Sequence, residues 1–499
     1  SMAATITDVL KREMLVSIFD RTQNVGVALG DSDRHYIAIG RSEEWNEESL
    51  PPIPYSGTEE SLVFRSSIQS MKQVPDVSYV VPRFSWIAGN FYEGWSSEYG
   101  SNTEVKSSTT ASGAFAPNPY YVLTDDNNVY VCIKQGRTVG GTPRASLFKP
   151  INNSTEVFSA GQDGYYWKFL YNIGAAETRK FLTSTYMPVE RVVDEAAGGP
   201  ADDDLSVSRL QQRSIQAGAI PGQLIGIHIE NPGTGYTSAP TITITGRARQ
   251  GFGQVPTPAT ASAKIFNGGI TDIFMKNNSD DADFVFGRDY ADASIKVSGG
   301  SGSGAILRAL ISGDSGMGGN CTLDLHSSAM MFNSQLNGTE NDDFQTTNDF
   351  RQIGIVRNPV KDSAQFASFV EVPECTAPTL SAFKRLYVNT ASLVPENITG
   401  DQTITQAGSV AIIDFYDAAR GIMFVHQSRE TGYSAFDSYS VCQISGGGGT
   451  ATPIGINLQP VLRPSEVDVY SGEVIYIDNR IAVSRDADQI EDIKVVIDL

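Results

Sequence analysis

The clearest pattern of apolar and polar positions lies in residues 218–312, where a set of three short alternating runs occurs twice. The first copy has its runs at residues 224–229, 241–246 and 259–265, and the second has them at 270–275, 293–299 and 304–310. Alternation with a period of two is typical of half-buried strands, and the glycine, proline, asparagine and aspartate residues between the runs indicate turns. The pattern predicts a compact, duplicated all-β unit.

Similar runs elsewhere predict strands more often than helices. The predicted strands lie at 35–40, 77–81, 120–134 (a hairpin bending at 125–128), 161–173, 350–356, 410–415, 421–427, 473–478 and 493–497. Spacing typical of helices occurs at 5–17, 59–72 and 205–212. The predicted strands and helices do not alternate as they do in βαβ units. We therefore predict a mainly β, multi-domain fold: a β-sandwich-like body with a few short helices and inserted all-β domains.

Polar, glycine-rich breaks divide the chain into six segments. Residues 1–200 are predicted to form the N-terminal part of the body, and 201–217 a linker helix. The duplicated unit at 218–312 is followed by a return to the body at 313–372. A second β-rich insertion occupies 373–455, and the C-terminal strands of the body occupy 456–499.

Charge and composition narrow the classes of function. The formal net charge is −20, which repels phosphate backbones and disfavours nucleic-acid binding. No run of 18 apolar residues and no leader pattern is visible, so we expect neither a membrane span nor a signal peptide. Cys132, Cys321, Cys375 and Cys442 are far apart, lie in or beside apolar runs and form no C-x-x-C pair, so we expect them reduced and buried.

The residues that could carry chemistry do not form a recognisable site. Asp280, Asp281, Asp283 and Asp289 could bind Ca²⁺ but lack EF-hand spacing, so we interpret them as a solvated turn; Asp202-Asp203-Asp204 is better placed to stabilise a helix N-terminus. The four histidines are His35, His228, His326 and His426, and none has the spacing of a metal site. The segment 299–304 is glycine-rich but is not followed by Lys-Ser/Thr. We therefore predict no catalytic, cofactor-binding or metal-binding residues.

Three arginines stand at predicted strand ends. They are Arg41 beside Glu43, Arg83 beside Ser85, and Arg480 beside Asn479. In so acidic a chain they either pair with internal carboxylates or lie on the surface, and the sequence leaves both alternatives open.

Five short pieces, in a fixed order along the chain, resemble one known family. They are Ile39-Gly40-Arg41-Ser42-Glu43 with Trp45; Val81-Pro82-Arg83 with Trp86; Asp163-Gly164-Tyr165 with Trp167; Phe350-Arg351-Gln352-Ile353 with Asn358-Pro359; and Ser471-Gly472-Glu473 with Tyr476 and Asn479-Arg480. In these pieces the chain resembles the baseplate wedge subunit of contractile-tailed bacteriophages, of the gene-product-eight type. The resemblance covers roughly half of the chain, and residues 218–312 and 373–455 are insertions relative to the compact family pattern.

The resemblance implies a structural protein of the virion. It implies a homodimer that holds neighbouring wedge subunits in the tail baseplate, with no catalysis and no cofactor, and we expect assembly in the host cytoplasm. From the charge and the apolar runs, as above, we expect no nucleic-acid or membrane partner. The alternative is a tail-associated protein that binds the host surface or carbohydrate, with aromatic side chains on exposed loops stacking on sugar rings. Its candidate residues are Tyr92, Trp95, Tyr99, Tyr236 and Tyr290.

Overall fold

The computed structural model describes residues 8–23, 32–97, 119–193, 199–251, 255–278, 280–281, 283–337, 349–362, 373–389, 391–438, 440–453, 461–486 and 489–499. Its helices are α1 (Asp8–Gln23), α2 (Thr58–Ser66), α3 (Ala175–Phe181), α4 (Val207–Ala217) and α5 (Cys321–Asp324). The chain is mainly β, as the sequence predicts.

The strands account for most of the regular structure. In the first half of the chain they are β1 (His35–Gly40), β2 (Ile68–Gln73), β3 (Asp76–Pro82), β4 (Tyr121–Leu123), β5 (Asn128–Lys134), β6 (Phe158–Ser159), β7 (Tyr166–Asn172), β8 (Tyr186–Val189), β9 (Leu224–Thr234) and β10 (Thr241–Ala248). Next come β11 (Ser262–Phe266), β12 (Gly269–Phe274), β13 (Tyr290–Ser298), β14 (Ser303–Ile311), β15 (Ala329–Asn337), β16 (Phe350–Arg357), β17 (Thr379–Ser381) and β18 (Lys384–Asn389). The last are β19 (Thr403–Gln406), β20 (Ser409–Asp417), β21 (Ile422–His426), β22 (Cys442–Ile444), β23 (Thr450–Pro453), β24 (Leu462–Arg463), β25 (Glu473–Val483) and β26 (Ile490–Asp498).

The chain folds into two compact units, and the connection crosses between them more than once. The first unit contains the described residues of Ser1–Ser17, Ser78–Met331 and Asp498–Leu499. The second contains those of Ile18–Val77 and Phe332–Ile497.

The first unit has an aromatic core under a four-stranded sheet in the order β4-β5-β7-β6. Trp167 and Phe169 on β7 are fully buried and pack with Tyr92 and Tyr130. Rings of this size bury more apolar area per residue than aliphatic side chains, so a small sheet can carry a substantial core. Helix α4 packs on β7 through Ile215.

The duplicated segment forms six strands inside the first unit, three from each copy, as predicted. They pair in a nested order: β9 with β14, β10 with β13, and β11 with β12, all antiparallel. A buried cluster drawn only from residues 224–311 fills the space between them. The glycine-rich segment 299–304 is the turn between β13 and β14, and Gly299, Gly300 and Gly304 adopt positive φ there.

The second unit contains a five-stranded sheet in the order β17-β2-β1-β16-β25. Every residue of β1 is buried. Tyr36 and Ala38 pack in one cluster with Phe64 of α2, and His35 lies against the ring of Phe332 with 5.4 Å between ring centroids. Strand β1 is therefore the central strand of this unit.

The segment predicted as a second insertion forms a ring of antiparallel strands in the second unit. The pairings run from β18 to β21, β20, β19, β22 and β23 and return to β18, with β24 added beside β18. The interior is apolar and includes Leu386, Ile413, Met423 and Val425, all fully buried.

Two predicted elements are wrong in part. The helix predicted at 59–72 ends at Ser66, and Ile68 begins β2, because pairing of Ile68 and Met71 with β1 prevails over their helical spacing. The strand predicted at 473–478 continues through Asn479-Arg480 to Val483, because β25 keeps its antiparallel pairing with β16 through Gln352 opposite Asn479 and Phe350 opposite Val483.

Two expectations from composition can be compared with the structure. The four cysteines are buried and free, as expected. No helix in the described part of the chain is both long and apolar enough to cross a bilayer.

Candidate docking site

The candidate site is residues 41–55, which we call the arm. It leaves β1 at Gly40 and Arg41. Arg41 has φ +60 and donates its backbone N–H to Ser67 O at 3.0 Å. A Cβ at position 40 would lie 2.6 Å from that same carbonyl oxygen, so only glycine fits where the arm begins.

Trp45 and Asn479 fasten the arm to β25. The indole Nε1 of Trp45 donates to Arg480 O at 2.8 Å, and the guanidinium carbon of Arg41 lies 3.9 Å from the centre of the indole ring. Further along, Asn479 Nδ2 donates to Pro52 O at 2.9 Å. A cation over an indole ring and two hydrogen bonds hold both ends of the arm in place.

Arg351 of β16 holds the middle of the arm. Its side chain is buried and donates to Ser42 O and to the carboxylate of Glu48. Glu48 also accepts from the backbone N–H of Trp45 at 3.0 Å. A buried guanidinium loses its hydration, so these contacts replace hydrogen bonds to water and fix the local chain.

His426 of β21 fixes the start of the arm. Its Nδ1 lies 2.8 Å from Asp414 Oδ2, and its Nε2 lies 3.0 Å from Glu43 Oε1. Ser42 Oγ donates to Asp414 Oδ1 at 3.3 Å. We call Glu43, Asp414 and His426 the histidine clamp.

The histidine clamp is a charged centre. Burial disfavours a charge on His426, but the two carboxylates outweigh burial and raise its pKa well above 6.5. Burial likewise opposes the charge on Glu43, yet the hydrogen bond and charge of His426 lower the pKa of Glu43 to about 2. Both imidazole nitrogens therefore donate to carboxylates. No ring nitrogen is left to act as a base, which makes the clamp a structural element.

The outer surface of the arm is apolar. Ile53, Leu50 and Tyr55 are 91%, 70% and 57% exposed, and Glu44 and Glu47 beside them are exposed as well. Single exposed apolar residues are common on protein surfaces. Three within six residues, on a loop held by buried hydrogen bonds, are typical of a surface that docks onto another molecule.

The sequence pieces at 39–45, 350–359 and 471–480 lie on three neighbouring strands of one sheet. Gly40, Gln352 and Asn479 meet where the arm begins, and Asn358 and Gly472 lie at the opposite end of the same strands. Asn358 is held by its Nδ2 donating to Asp33 at 2.7 Å, and it adopts φ +49. The buried Arg65 donates to Gly472 O at 2.8 Å, and Gly472 has φ +65. Three pieces that lie hundreds of residues apart thus build the arm and its supports.

The other two pieces support the first unit. Asp163 is buried and accepts from the backbone N–H groups of Leu147 and Tyr165 at 2.8 and 3.1 Å. Arg83 Nη1 donates to Thr183 O at 2.9 Å, and Trp86 Nε1 donates to Ser146 Oγ at 3.2 Å.

The arginines and acidic residues singled out in the sequence have local roles. Arg480 pairs with Asp478 at 3.3 Å, Arg41 covers Trp45, and Arg83 binds the carbonyl noted above. Asp281 accepts from the N–H of Asn278 at 2.9 Å within a turn. Within the described residues, no group of three or more histidine, cysteine, aspartate or glutamate side chains is arranged to hold a metal.

Four of the five aromatic residues proposed for sugar stacking are buried. Tyr92, Tyr236 and Tyr290 belong to apolar clusters of the first unit, and Trp95 donates its indole N–H to Asp324 O at 3.0 Å. Tyr236, for example, packs so closely on Gly302 that a Cβ there would lie 2.4 Å from its ring. Tyr99 lies outside the described residues.

Sequence reasoning singled out the start of the arm and its supports Arg351 and Asn479 in separate pieces, but it missed the histidine clamp. Asp414 and Glu43 lie 12 and 383 residues from His426, and no local pattern joins them. No protein-family model and no curated protein matches the sequence.

Proposed function

We propose that this chain is a structural subunit of the baseplate wedge of a contractile phage tail, and that it pairs with a second copy and docks onto neighbouring wedge subunits. The observation that carries this proposal is the arm: an apolar surface on a loop that is fixed before any partner arrives. Pre-ordering lowers the entropy lost on association, so a small rigid surface binds better than a mobile one of equal area.

Charge indicates what the arm binds. Glu44 and Glu47 precede Leu50 on the arm, and the whole chain carries −20, so a second acidic copy facing the arm would be repelled. A neighbouring subunit with an apolar hollow and a basic rim is complementary in both respects. We assign the arm to contacts with neighbours and the pairing of two copies to another surface.

The carbohydrate-binding alternative loses its original support. Four of its five aromatic residues are buried, and buried rings offer no face for a sugar to stack on.

The proposal is tested by co-expressing the chain with the other wedge proteins of the same phage. The variant Leu50→Ser/Ile53→Ser/Tyr55→Ser removes the apolar surface and leaves Trp45, Pro52 and their hydrogen bonds in place. We expect at least a tenfold weaker recovery of the wedge complex, since hot-spot apolar anchors typically contribute 2 kcal/mol or more.

A matched control removes exposed apolar side chains elsewhere. Val207 and Val255 are 85% and 76% exposed and lie in the first unit. The variant Val207→Ser/Val255→Ser should assemble like the native chain. Equal recovery of the complex with the arm variant and the native chain would contradict the proposed role of the arm.

A further inference from the structure

The first unit contains a cavity of about 320 Å³ between β5 and the duplicated segment. It lies far along the chain from the arm. Its walls come from the segment 93–96, from β5, β9, β12 and β14, and from Phe284.

The two sides of the cavity differ in chemistry. On β9, Ile225, Ile227 and Ile229 line it from alternate positions, which lie on one face of a strand. The opposite side is polar: Gln135 and Glu93 are buried there. An apolar wall facing a polar wall suits a ligand with one C–H face and a rim of hydrogen-bonding groups.

The charges in the polar wall are fixed. Lys134 Nζ lies 2.7 and 2.9 Å from the two carboxylate oxygens of Asp272 and 4.3 Å from the centre of the Phe274 ring. Asp272 also accepts from the N–H of Ile273 at 2.9 Å. Lys134 and Asp272 balance each other, and Arg137 and Glu93 add one charge of each sign to the lining, so the cavity does not require a charged ligand. A carboxylate offers about four acceptor positions, and the contacts named here leave room for another donor.

Gln135 supplies an unused acceptor. Its Nε2 donates to Tyr92 O at 2.9 Å, which holds the amide in place, while its Oε1 is buried and accepts no hydrogen bond from the described residues. A buried acceptor without a partner costs free energy and calls for a donor from outside the chain. A hydroxyl group provides such a donor without bringing a charge.

We propose that this cavity binds an uncharged, hydroxylated small molecule of the size of one sugar ring. A pyranose has an apolar C–H face for the isoleucine wall and hydroxyl donors for Gln135 and Asp272. The proposal is independent of the docking role of the arm, and it places sugar recognition in the interior of the first unit rather than on surface rings.

The cavity can be filled from the isoleucine wall. Ile227 is half-buried at the centre of that wall, on the face of β9 that lines the cavity. Ile227→Phe therefore fills part of the cavity, and Ile227→Val is its matched control because a smaller side chain leaves the space open.

The test is saturation-transfer NMR on the full-length chain with glucose, galactose, mannose, N-acetylglucosamine and rhamnose, each titrated to tens of millimolar. We expect saturable transfer to the ring C–H protons of at least one sugar, with a dissociation constant on the order of 1 mM. Ile227→Phe should weaken this binding at least tenfold, while Ile227→Val retains it and both variants keep the native melting temperature.

Two results would overturn the proposal. One is that none of the five sugars gives a saturable signal with the native chain. The other is that a sugar binds but Ile227→Phe, folded as judged by its melting temperature, binds it as well as the native chain. Neither result bears on the arm, because recovery of the wedge complex is measured separately.

Discussion

His426 keeps a positive charge inside the second unit because two carboxylates enclose it. Since its folded-state pKa is above 6.5, the clamp contributes fully below that pH, and its contribution is lost as the pH rises through the folded-state pKa. Glu43 sets the acidic limit. Its pKa is lowered to about 2, so its contribution to stability is present above pH 4.5 and is lost as the pH falls toward about 2. Both contributions are therefore present between pH 4.5 and pH 6.5.

Replacing His426 with glutamine should destabilise the second unit by about 3 kcal/mol, because the buried Asp414 and the half-buried Glu43 lose their cation. Denaturant unfolding measures the change. His228→Gln is the control, since His228 is exposed and its substitution should change stability by no more than about 0.5 kcal/mol. Equal stability of the His426→Gln variant and the native chain would show that the clamp does not stabilise the second unit.

Asp324 gives the first unit a pH dependence of its own. It is buried, and burial raises its pKa to about 7, although the N–H of Gly318 donates to it at 2.8 Å. The folded state therefore holds a proton that the unfolded state releases near 3.8, so stability falls as the pH rises from there to about 7.

Asp324→Asn should remove most of this dependence, because an amide keeps the acceptor for Gly318 and carries no charge. At about pH 8 we expect the variant to melt roughly 5–10 °C above the native chain, and at about pH 4 we expect similar melting temperatures. Calorimetry at the two values measures this. Asp203 is exposed, so Asp203→Asn is the control and should leave the melting temperature unchanged at both pH values. A variant that melts below the native chain at both pH values would contradict the assignment.

At the scale of elements, the nested pairing of β9 to β14 makes the duplicated segment self-contained. Its first and last strands pair with each other, and its apolar cluster comes only from residues 224–311. Because both ends of the segment lie side by side, it can interrupt the surrounding fold without disturbing it.

We therefore expect the isolated fragment 218–312 to fold. Its circular dichroism spectrum should show β structure, and its NMR spectrum should show dispersed amide signals with a cooperative thermal transition. A fragment ending at residue 302 loses β14, the partner of β9, and should remain unfolded. An unfolded 218–312 fragment would mean that the segment needs the aromatic core of the first unit.

The sequence predicted these six strands because their period-two pattern is local. It mispredicted 59–72 because Phe64, Ile68 and Met71 fit a helical spacing as well as they fit a helix followed by a strand. The arm could not be predicted, since the hydrogen bond from Trp45 joins residues 435 positions apart. Local patterns carry no information about such distant partners. For the same reason they did not reveal the pairing of His426 with Glu43.

At the scale of the whole molecule, the chain combines a large negative net charge with the exposed apolar residues of the arm. The net charge of −20 keeps copies apart except where an apolar or complementary surface outweighs repulsion. A stable pair of copies then requires a self-complementary interface that buries well over about 1,000 Å² in total.

The mass of the purified chain in solution tests this account most directly. Multi-angle light scattering at micromolar concentration should give about twice the chain mass of 53.8 kDa, and the arm variant should give the same value because its substitutions lie outside the pairing surface. A single species with the mass of one chain would contradict the account.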